Sequence, residues 1–469
     1  MKKLGFNKTK DNQQNNKKVT VWLAVSFIIA SAIIYTETSF FDAIVDRLNR
    51  AIRGETEESI VSIDKKFVAI SNPYERIEQK FVDDGTTFIK ADLSDRIINR
   101  YVAGKSDLEI PIKALPSETT WWQTPPGLYQ IRTKKPLHQS TFGPVEMPWN
   151  LPFQGNFFIH GWPRYISSGN PAVSEVSGGC IRVSEDNASK LYSQVAVGEP
   201  VLVTTDEFNL AMYPSQSRYF TIPQTVKAQS VLVANLRTGE VYAAREPDTQ
   251  LFAGDLNLML AALTNVEYLG LEKSINLPRA TTGEASERLD YGANYSVWDI
   301  LFPTLEERKW IGPQAFAHYQ GSGRYLDRIE DKAHSLIMSQ TEVQTLDTTD
   351  ATTQLTSAID QYRLLKYLDQ YRYFLLDITK GNINTYLYGE PATDRNWPRD
   401  ILPGYEEFSG GMIDKVEGST GSRNAAVILD LDINDSGNTS PIVFISLDSS
   451  DALQDVIDLR TSLLNSKAR

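Results

Sequence analysis

A chain of 469 residues is longer than one hydrophobic core usually serves, so at least two domains are expected. With 41% hydrophobic and 23% charged residues it reads as folded, and a formal net charge of −12 offers no broad cationic face to phosphates, which excludes nucleic acid as a non-specific partner. A single cysteine, Cys180, excludes an intramolecular disulfide and any thiolate-rich zinc or iron–sulfur site.

Residues 1–18 carry Lys2, Lys3, Lys8, Lys10, Lys17 and Lys18 against Asp11. The next stretch, Val19 to Thr36, has no charge and is just long enough to span a bilayer. Basic residues stay on the cytoplasmic side, so 1–18 is expected to be a cytoplasmic tail and 19–36 a single transmembrane anchor, with the rest of the chain outside. The competing reading is a signal peptide cleaved near Ala30-Ser31-Ala32, which exports the same remainder.

Residues 37–86 read as a juxtamembrane helical linker, with Phe40, Phe41, Ile44, Val45, Leu48 and Ile52 on one face. From about Thr87 the pattern changes to short alternating strands, with a turn at Ala103-Gly104, and it stays β-rich to Asp206. Residues 207–225 read as a linker and 226–469 as a further unit. In that unit, Ser230 to Thr264 predicts two strands around Thr238-Gly239 followed by a helix.

Cys180 lies in Ser-Gly-Gly-Cys-Ile-Arg, residues 177–182. Alone, an unpaired cysteine reads as a small buried hydrophobe. A nucleophilic one needs a base, something to orient that base, and donors for the oxyanion. Of the four histidines, His160 in "GNFFIHGWP" ends a strand-like run before a glycine and is the best-placed base. His138 in "KKPLHQS" reads as a solvated loop residue, and His318 and His334 fall in helical segments of the C-terminal unit.

His160, followed by Gly161, and Ser177-Gly-Gly-Cys-Ile-Arg182, with sixteen residues between His160 and Ser177, together resemble the signature of the L,D-transpeptidases, the YkuD-like peptidoglycan enzymes. "TPPGLYQI" and "MPWNLPFQGNFFIHG" are similar to that family's upstream segments. The resemblance implies a mostly β catalytic domain over 87–206, with Cys180 as nucleophile and His160 as base. It implies that the Gly161 carbonyl orients the imidazole and that the Gly179 and Cys180 N–H groups face the oxyanion. Ser177, Gly178 and Arg182 fall at substrate-binding positions, Arg182 suited to a substrate carboxylate.

The chain departs from the family at Gly178, where many members carry a second histidine. The implied reaction is acyl transfer from a tetrapeptide stem through a Cys180 thioester to a neighbouring stem, giving a 3→3 cross-link of bacterial peptidoglycan without metal or organic cofactor. Hydrolysis as an L,D-carboxypeptidase, or an inactive anchored wall-binding scaffold, are the alternatives. The setting implied is a single-pass protein of the bacterial cell membrane with its domains in the periplasm or cell-wall space.

The C-terminal unit, through Ser230–Thr264, "GANYSVWDILFPTL" and "TSAIDQYRLLKYLDQY", resembles the serine D-Ala-D-Ala carboxypeptidases of the penicillin-binding superfamily, an α+β fold. Where that family has Ser-x-x-Lys, the chain has Gly254-Asp255-Leu256-Asn257, and where it has Lys-Thr-Gly the chain reads Ser419-Thr420-Gly421. The Ser-x-Asn position falls near Arg308 to Trp310. A glycine cannot be acylated and an asparagine cannot act as a lysine base, so this unit is expected to be catalytically inactive. The roles left to it are scaffold, binder of peptidoglycan stems, or dock for a cell-wall protein partner.

Overall fold

The computed structural model describes residues 67–117, 120, 122–140, 143–278, 289–346, 353–380, 386–387, 390–391, 405–414, 423–434 and 436–466. The expected tail and anchor at 1–36, the amphipathic face at 40–52 and Ser419–Gly421 lie outside them. Among the described residues no helix is long and apolar enough to cross a membrane. Residues 67–466 belong to one compact body.

The first described helix, α1 (Pro73–Asp83), starts at an Asn72 cap and buries Tyr74, Ile77 and Phe81. It is thus packed into the body, with the Phe81 ring 5.1 Å from Phe88. A β-sandwich follows. Its first sheet contains β1 (Phe88–Asp92), β2 (Ile97–Val102), β3 (Lys105–Pro111), β4 (Gly127–Gln130) and β10 (Pro200–Thr204), in the order β3-β2-β1-β10-β4. The β2–β3 turn is Ala103-Gly104, both at positive φ, and a Cβ on Gly104 would sit 2.5 Å from the Val82 carbonyl oxygen. Strand β10 lies at the interior of the sheet, parallel to β1, and Val201, Leu202 and Val203 are all buried.

The second sheet contains β5 (Lys135–Gln139), β6 (Val145–Gln154), β7 (Phe157–His160) and β9 (Ile181–Arg182), in that order, with β8 (Arg164–Tyr165) pairing with β6. Pro148 and Pro152 cannot donate to the ladder, and β6 shifts register between Pro152 and Gln154. Helix α2 (Glu185–Gln194) is capped by Ser184 Oγ, carries Glu185 and Asp186 in its first turn, and buries Ala188 and Leu191. Ile89, Ile98, Ile110, Leu151, Phe153, Ile159 and Ile181 fill the core shared by the two sheets.

The segment 207–225, expected to be a linker, is built into the body instead. Phe208, Leu210 and Met212 are buried, Met212 bridges to Ile70, and β11 (Tyr213–Pro214) forms an edge strand of the next sheet. Its apolar residues recur at every second position, so burying them outweighs the conformational freedom of a loop.

The C-terminal unit has a six-stranded sheet of β11, β12 (Ser230–Asn235), β13 (Glu240–Arg245), β14 (Phe408–Ile413), β15 (Ala425–Leu431) and β16 (Ser440–Leu447), in the order β11-β13-β12-β16-β15-β14. Its α-helices among the described residues are α3 (Asn257–Leu269), α4 (Val297–Leu305), α5 (Ile311–Gln320), α6 (Ser322–Ser335), α7 (Ala358–Tyr371), α8 (Tyr373–Lys380) and α9 (Ala452–Asn465). Helix α3 is buried on every face from Asn257 to Glu267, as its near-continuous apolar sequence requires. Helix α9 is tied to the sheet by Asp455, which accepts from the Lys227 and Ala228 N–H groups and from Ser446 Oγ. The whole is a multi-domain, sheet-rich architecture.

Candidate active site

Strands β7 and β9 run parallel, with Ile159 opposite Ile181 and His160 opposite Arg182. Side chains alternate along a strand, so with Ile159 and Ile181 in the core, Phe158, His160, Cys180 and Arg182 belong to the opposite face. Cys180 packs there with Met147 and Phe158 and is 9% exposed.

His160 is buried, and its Nδ1 lies 2.6 Å from the Gly161 carbonyl oxygen. A carbonyl only accepts, so Nδ1 carries the proton in this pair and the lone pair of the neutral ring is on Nε2. Burial pulls the His160 pKa down to about 4; the Gly161 carbonyl opposes this, and the charges of Arg182 and His138 add to it. Burial likewise pushes the Cys180 thiol up to about 11, with the Phe158 backbone and Arg182 pulling the other way. At neutral pH the thiol and the imidazole are both uncharged. The thiol donates to the Asn156 carbonyl at 3.7 Å, at the turn between β6 and β7.

The two glycines before the thiol differ. Gly179 has φ +114°, and a Cβ on it would lie 2.8 Å from both Phe157 and Trp122, whose rings stack at 5.1 Å. Gly178 faces open space, with nothing within 4 Å of an added Cβ. Ser177 is buried, and its Oγ accepts from the Gly179 N–H at 3.3 Å, so that N–H, expected to face an oxyanion, is engaged within the loop. Thr124 Oγ1 donates to the Gly179 carbonyl at 2.7 Å and fixes the loop from its other side.

Arg182 donates from one terminal nitrogen to the Ser174 carbonyl at 2.8 Å, and its guanidinium lies 5.5 Å from the Trp162 ring. Its buried Nε has no hydrogen-bond partner among the described residues. His138 is not in a loop: it sits in β5 opposite Met147, edge-on to Phe158 at 5.2 Å. The sequence reading missed it because Pro136 and the flanking polar residues mask a strand whose outer edge is solvated. Trp122, Thr124, Asn156 and Phe157 were given no role, although the last three lie in "TPPGLYQI" and "MPWNLPFQGNFFIHG".

In the C-terminal unit Gly254, Arg308 and Asp414 converge. Gly254 has φ +56°, and a Cβ on it would lie 2.5 Å from an Asp414 carboxylate oxygen. Asp414 accepts from the Asp255 N–H at 2.9 Å and from Asn424 Nδ2 at 2.7 Å, and Arg308 donates to the Ile413 carbonyl at 2.8 Å. Burial, reinforced by Asp255, holds the Asp414 carboxyl well above the usual carboxylate range. Asn257 is fully buried at the start of α3. Gly254, Asp255, Asn257, Arg308 and Asp414 include no hydroxyl, thiol or amine nucleophile. Among the described residues no cluster of His, Cys, Asp and Glu is arranged to hold a metal ion.

The family model of the L,D-transpeptidase catalytic domain, YkuD, matches residues 86–203. No curated protein matches the chain. Among solved structures the chain is similar to D-alanyl-D-alanine carboxypeptidase from Mycobacterium tuberculosis H37Rv, at 16% identity and TM-score 0.43, over 54% of this chain and 98% of that one. It is similar to penicillin binding protein 6B from Escherichia coli at 15% identity and TM-score 0.42, over 54% and 80% of the two chains. The cefotaxime-bound penicillin-binding protein D2 from Listeria monocytogenes gives 15% identity and TM-score 0.42, over 51% and 96%. These likenesses are of outline, and no residue's role is carried over from them.

Proposed function

We propose that the β-sandwich is a peptidoglycan acyltransferase of the L,D-transpeptidase type, with Cys180 as nucleophile and His160 as general base. The observation that carries this reading is the paired ends of β7 and β9, which put His160, Cys180 and Arg182 on one face with Nδ1 of His160 held by the Gly161 carbonyl. That tautomer leaves Nε2 as the acceptor a general base requires. In this reading His160 Nε2 takes the thiol proton, and the Cys180 sulfur attacks the carbonyl carbon of the third residue of a tetrapeptide stem. The bond to D-Ala breaks, and the departing amine takes the proton from the imidazolium, leaving a thioester.

The amine of a neighbouring stem then attacks the thioester, His160 accepts its proton, the C–S bond breaks and the sulfur is reprotonated. The product is a 3→3 cross-link, and no cofactor enters. Because both resting groups are neutral, thiolate forms only as the substrate arrives, which protects the thiol from oxidation. The partnerless Nε of Arg182 suits a stem carboxylate. Residues 19–36 tether the domain to the outer face of the cell membrane, beside its substrate, and the C-terminal unit has lost acyl transfer.

Intact mass of the protein incubated with a disaccharide-tetrapeptide, beside Cys180→Ala and His160→Ala, tests the chemistry. An adduct of the stem less D-Ala, absent from both variants, is expected. A folded protein that never acylates would sink the enzyme reading in favour of a wall-binding scaffold. For the tether, a membrane-impermeant maleimide is expected to label Ser39→Cys on intact spheroplasts, and protection of that site would reverse the assigned orientation.

A further inference from the structure

The loop that presents Cys180 is held from behind by residues of the C-terminal unit. Arg372, between α7 and α8, is fully buried and donates to the Gln123 carbonyl of the β-sandwich at 3.2 Å. Its guanidinium lies 5.7 Å from the Trp122 ring and 5.5 Å from the Phe157 ring. Those two rings are the walls that close on the Gly179 backbone, leaving no room for a side chain.

A second line of contacts ends at the thiol itself. The Glu267 and Tyr268 carbonyls, at the end of α3, accept from the Asn156 backbone N–H at 3.2 Å and from its Nδ2 at 3.3 Å. Gly155, at φ +45°, is pressed against the Glu267 carbonyl so closely that a Cβ would overlap it. The Asn156 carbonyl in turn takes the Cys180 thiol hydrogen. Both lines meet at Glu267, whose carboxylate pairs with Arg372 at 3.0 Å and with Lys332 at 3.0 Å and accepts from Tyr367 and Gln154, all within an interior closed to water.

We propose that Arg372 is a positioning residue for the Cys180 nucleophile, so that the carboxypeptidase-like unit forms the rear wall of the transfer site. This rests on the reading of Cys180 as nucleophile. An appendage joined only by a tether would not need a buried cation aimed into its neighbour's aromatic pair. A buried guanidinium is costly unless bonded, and here the bonding partners are divided between the two units.

The test uses the full chain with Arg372→Lys, which keeps a cation beside Glu267 but loses the planar contact with the rings and the reach to Gln123. Two readouts are taken: the rate of Cys180 alkylation by iodoacetamide against pH, and the maximal rate and half-saturating concentration of acylation by a disaccharide-tetrapeptide. The charged group acting on the thiol is Arg182, which with His138 also acts on His160. The expected result is that alkylation accelerates and its pH midpoint falls as the loop opens, while maximal acylation drops about 10-fold or more at an unchanged half-saturating concentration. Asp331→Asn, which breaks the 2.5 Å pair with Arg132 elsewhere in the same interface, is expected to leave both within about 2-fold.

A folded Arg372→Lys with the wild-type alkylation profile and acylation rate overturns the proposal, as does an Asp331→Asn that moves both readouts equally. If Arg372→Lys does not fold, Trp122→Leu decides by the same readouts, since it removes the wall without touching the Glu267 pairs. A wild type that is alkylated but never acylated would refute the proposed function, and the alkylation comparison would still decide the positioning.

Discussion

In the β-sandwich, two strand ends set a thiol, an imidazole and a guanidinium on one face, while in the C-terminal unit Gly254, Arg308 and Asp414 meet at the mouth of a buried helix with no nucleophile among them. Both places combine burial with a glycine at positive φ and a cation. The difference lies in what burial acts on. In the sandwich it keeps neutral the imidazole and the thiol proposed above as base and nucleophile. At Gly254 it raises the pKa of a carboxyl that accepts from a backbone N–H, an arrangement that stabilises a turn.

Breaking the first site gives the largest effect. His160→Gln keeps a polar side chain but removes the base, and acylation is expected to fall by about 10²–10⁴, read as adduct formation against time. Gly179→Ala follows. A β-carbon there meets Trp122 and Phe157 at 2.8 Å, and displacement of the thiol by even an ångström is expected to cost about 10² in acylation rate. Gly178→His, one residue earlier and facing open space, is expected to leave the melting temperature unchanged, and it measures what a second imidazole adds to thiol reactivity.

The connection between the regions is broken by Glu267→Gln, which leaves Lys332 and Arg372 buried without their anion. A loss of about 3–5 kcal/mol in denaturant unfolding is expected, with the thiol exposed at lower denaturant than in the wild type. An unchanged unfolding midpoint would show that the two units are held by other contacts.

The two regions are also expected to differ in their response to pH. The folded pKa of His160, near 4, lies below its unfolded value of about 6.5, so its neutral burial favours folding above pH 6.5 and that advantage is lost as pH falls from about 6.5 to 4, by up to about 3 kcal/mol. Asp414 has the opposite sign: its folded pKa is raised, so its contribution weakens as pH rises above the unfolded carboxylate range. Melting curves across pH should lose their acid slope in His160→Gln, and in Asp414→Asn they should lose the opposing fall between about pH 4 and about 8. A wild-type slope in either variant would assign that sensitivity to other groups. The smallest effect is expected from Gly254→Ser with Asn257→Lys in a Cys180→Ala background. Asp414 already fills the space beside residue 254, so no acyl adduct should form in the intact mass, and an adduct would show that the second site is blocked only by its missing nucleophile.

Much of this was legible locally. Alternating strands over 87–206, the Ala103-Gly104 and Thr238-Gly239 turns, and the helix at 257–269 follow from periodicity and turn chemistry. The pairing of His160 with the Cys180 loop was legible because their spacing matches a known signature. His138 was misplaced because its strand is an exposed edge with weak alternation, and 207–225 was misread because the alternation of Phe208, Leu210 and Met212 is short and runs into Pro214 and Ser215.

By itself the sequence marked most of the elements, the two residues proposed as nucleophile and base, and the absence of a hydroxyl, thiol or amine from Gly254-Asp255-Leu256-Asn257, since each depends on residues a few positions apart or on a fixed motif. Only the tertiary structure decided that Arg372 stands against Trp122, some 250 residues away, and that the Glu267 carbonyl reaches the turn bonded to the thiol. Contacts at such separations arise from the packing of two cores against each other. Local propensity and spacing carry no record of that packing.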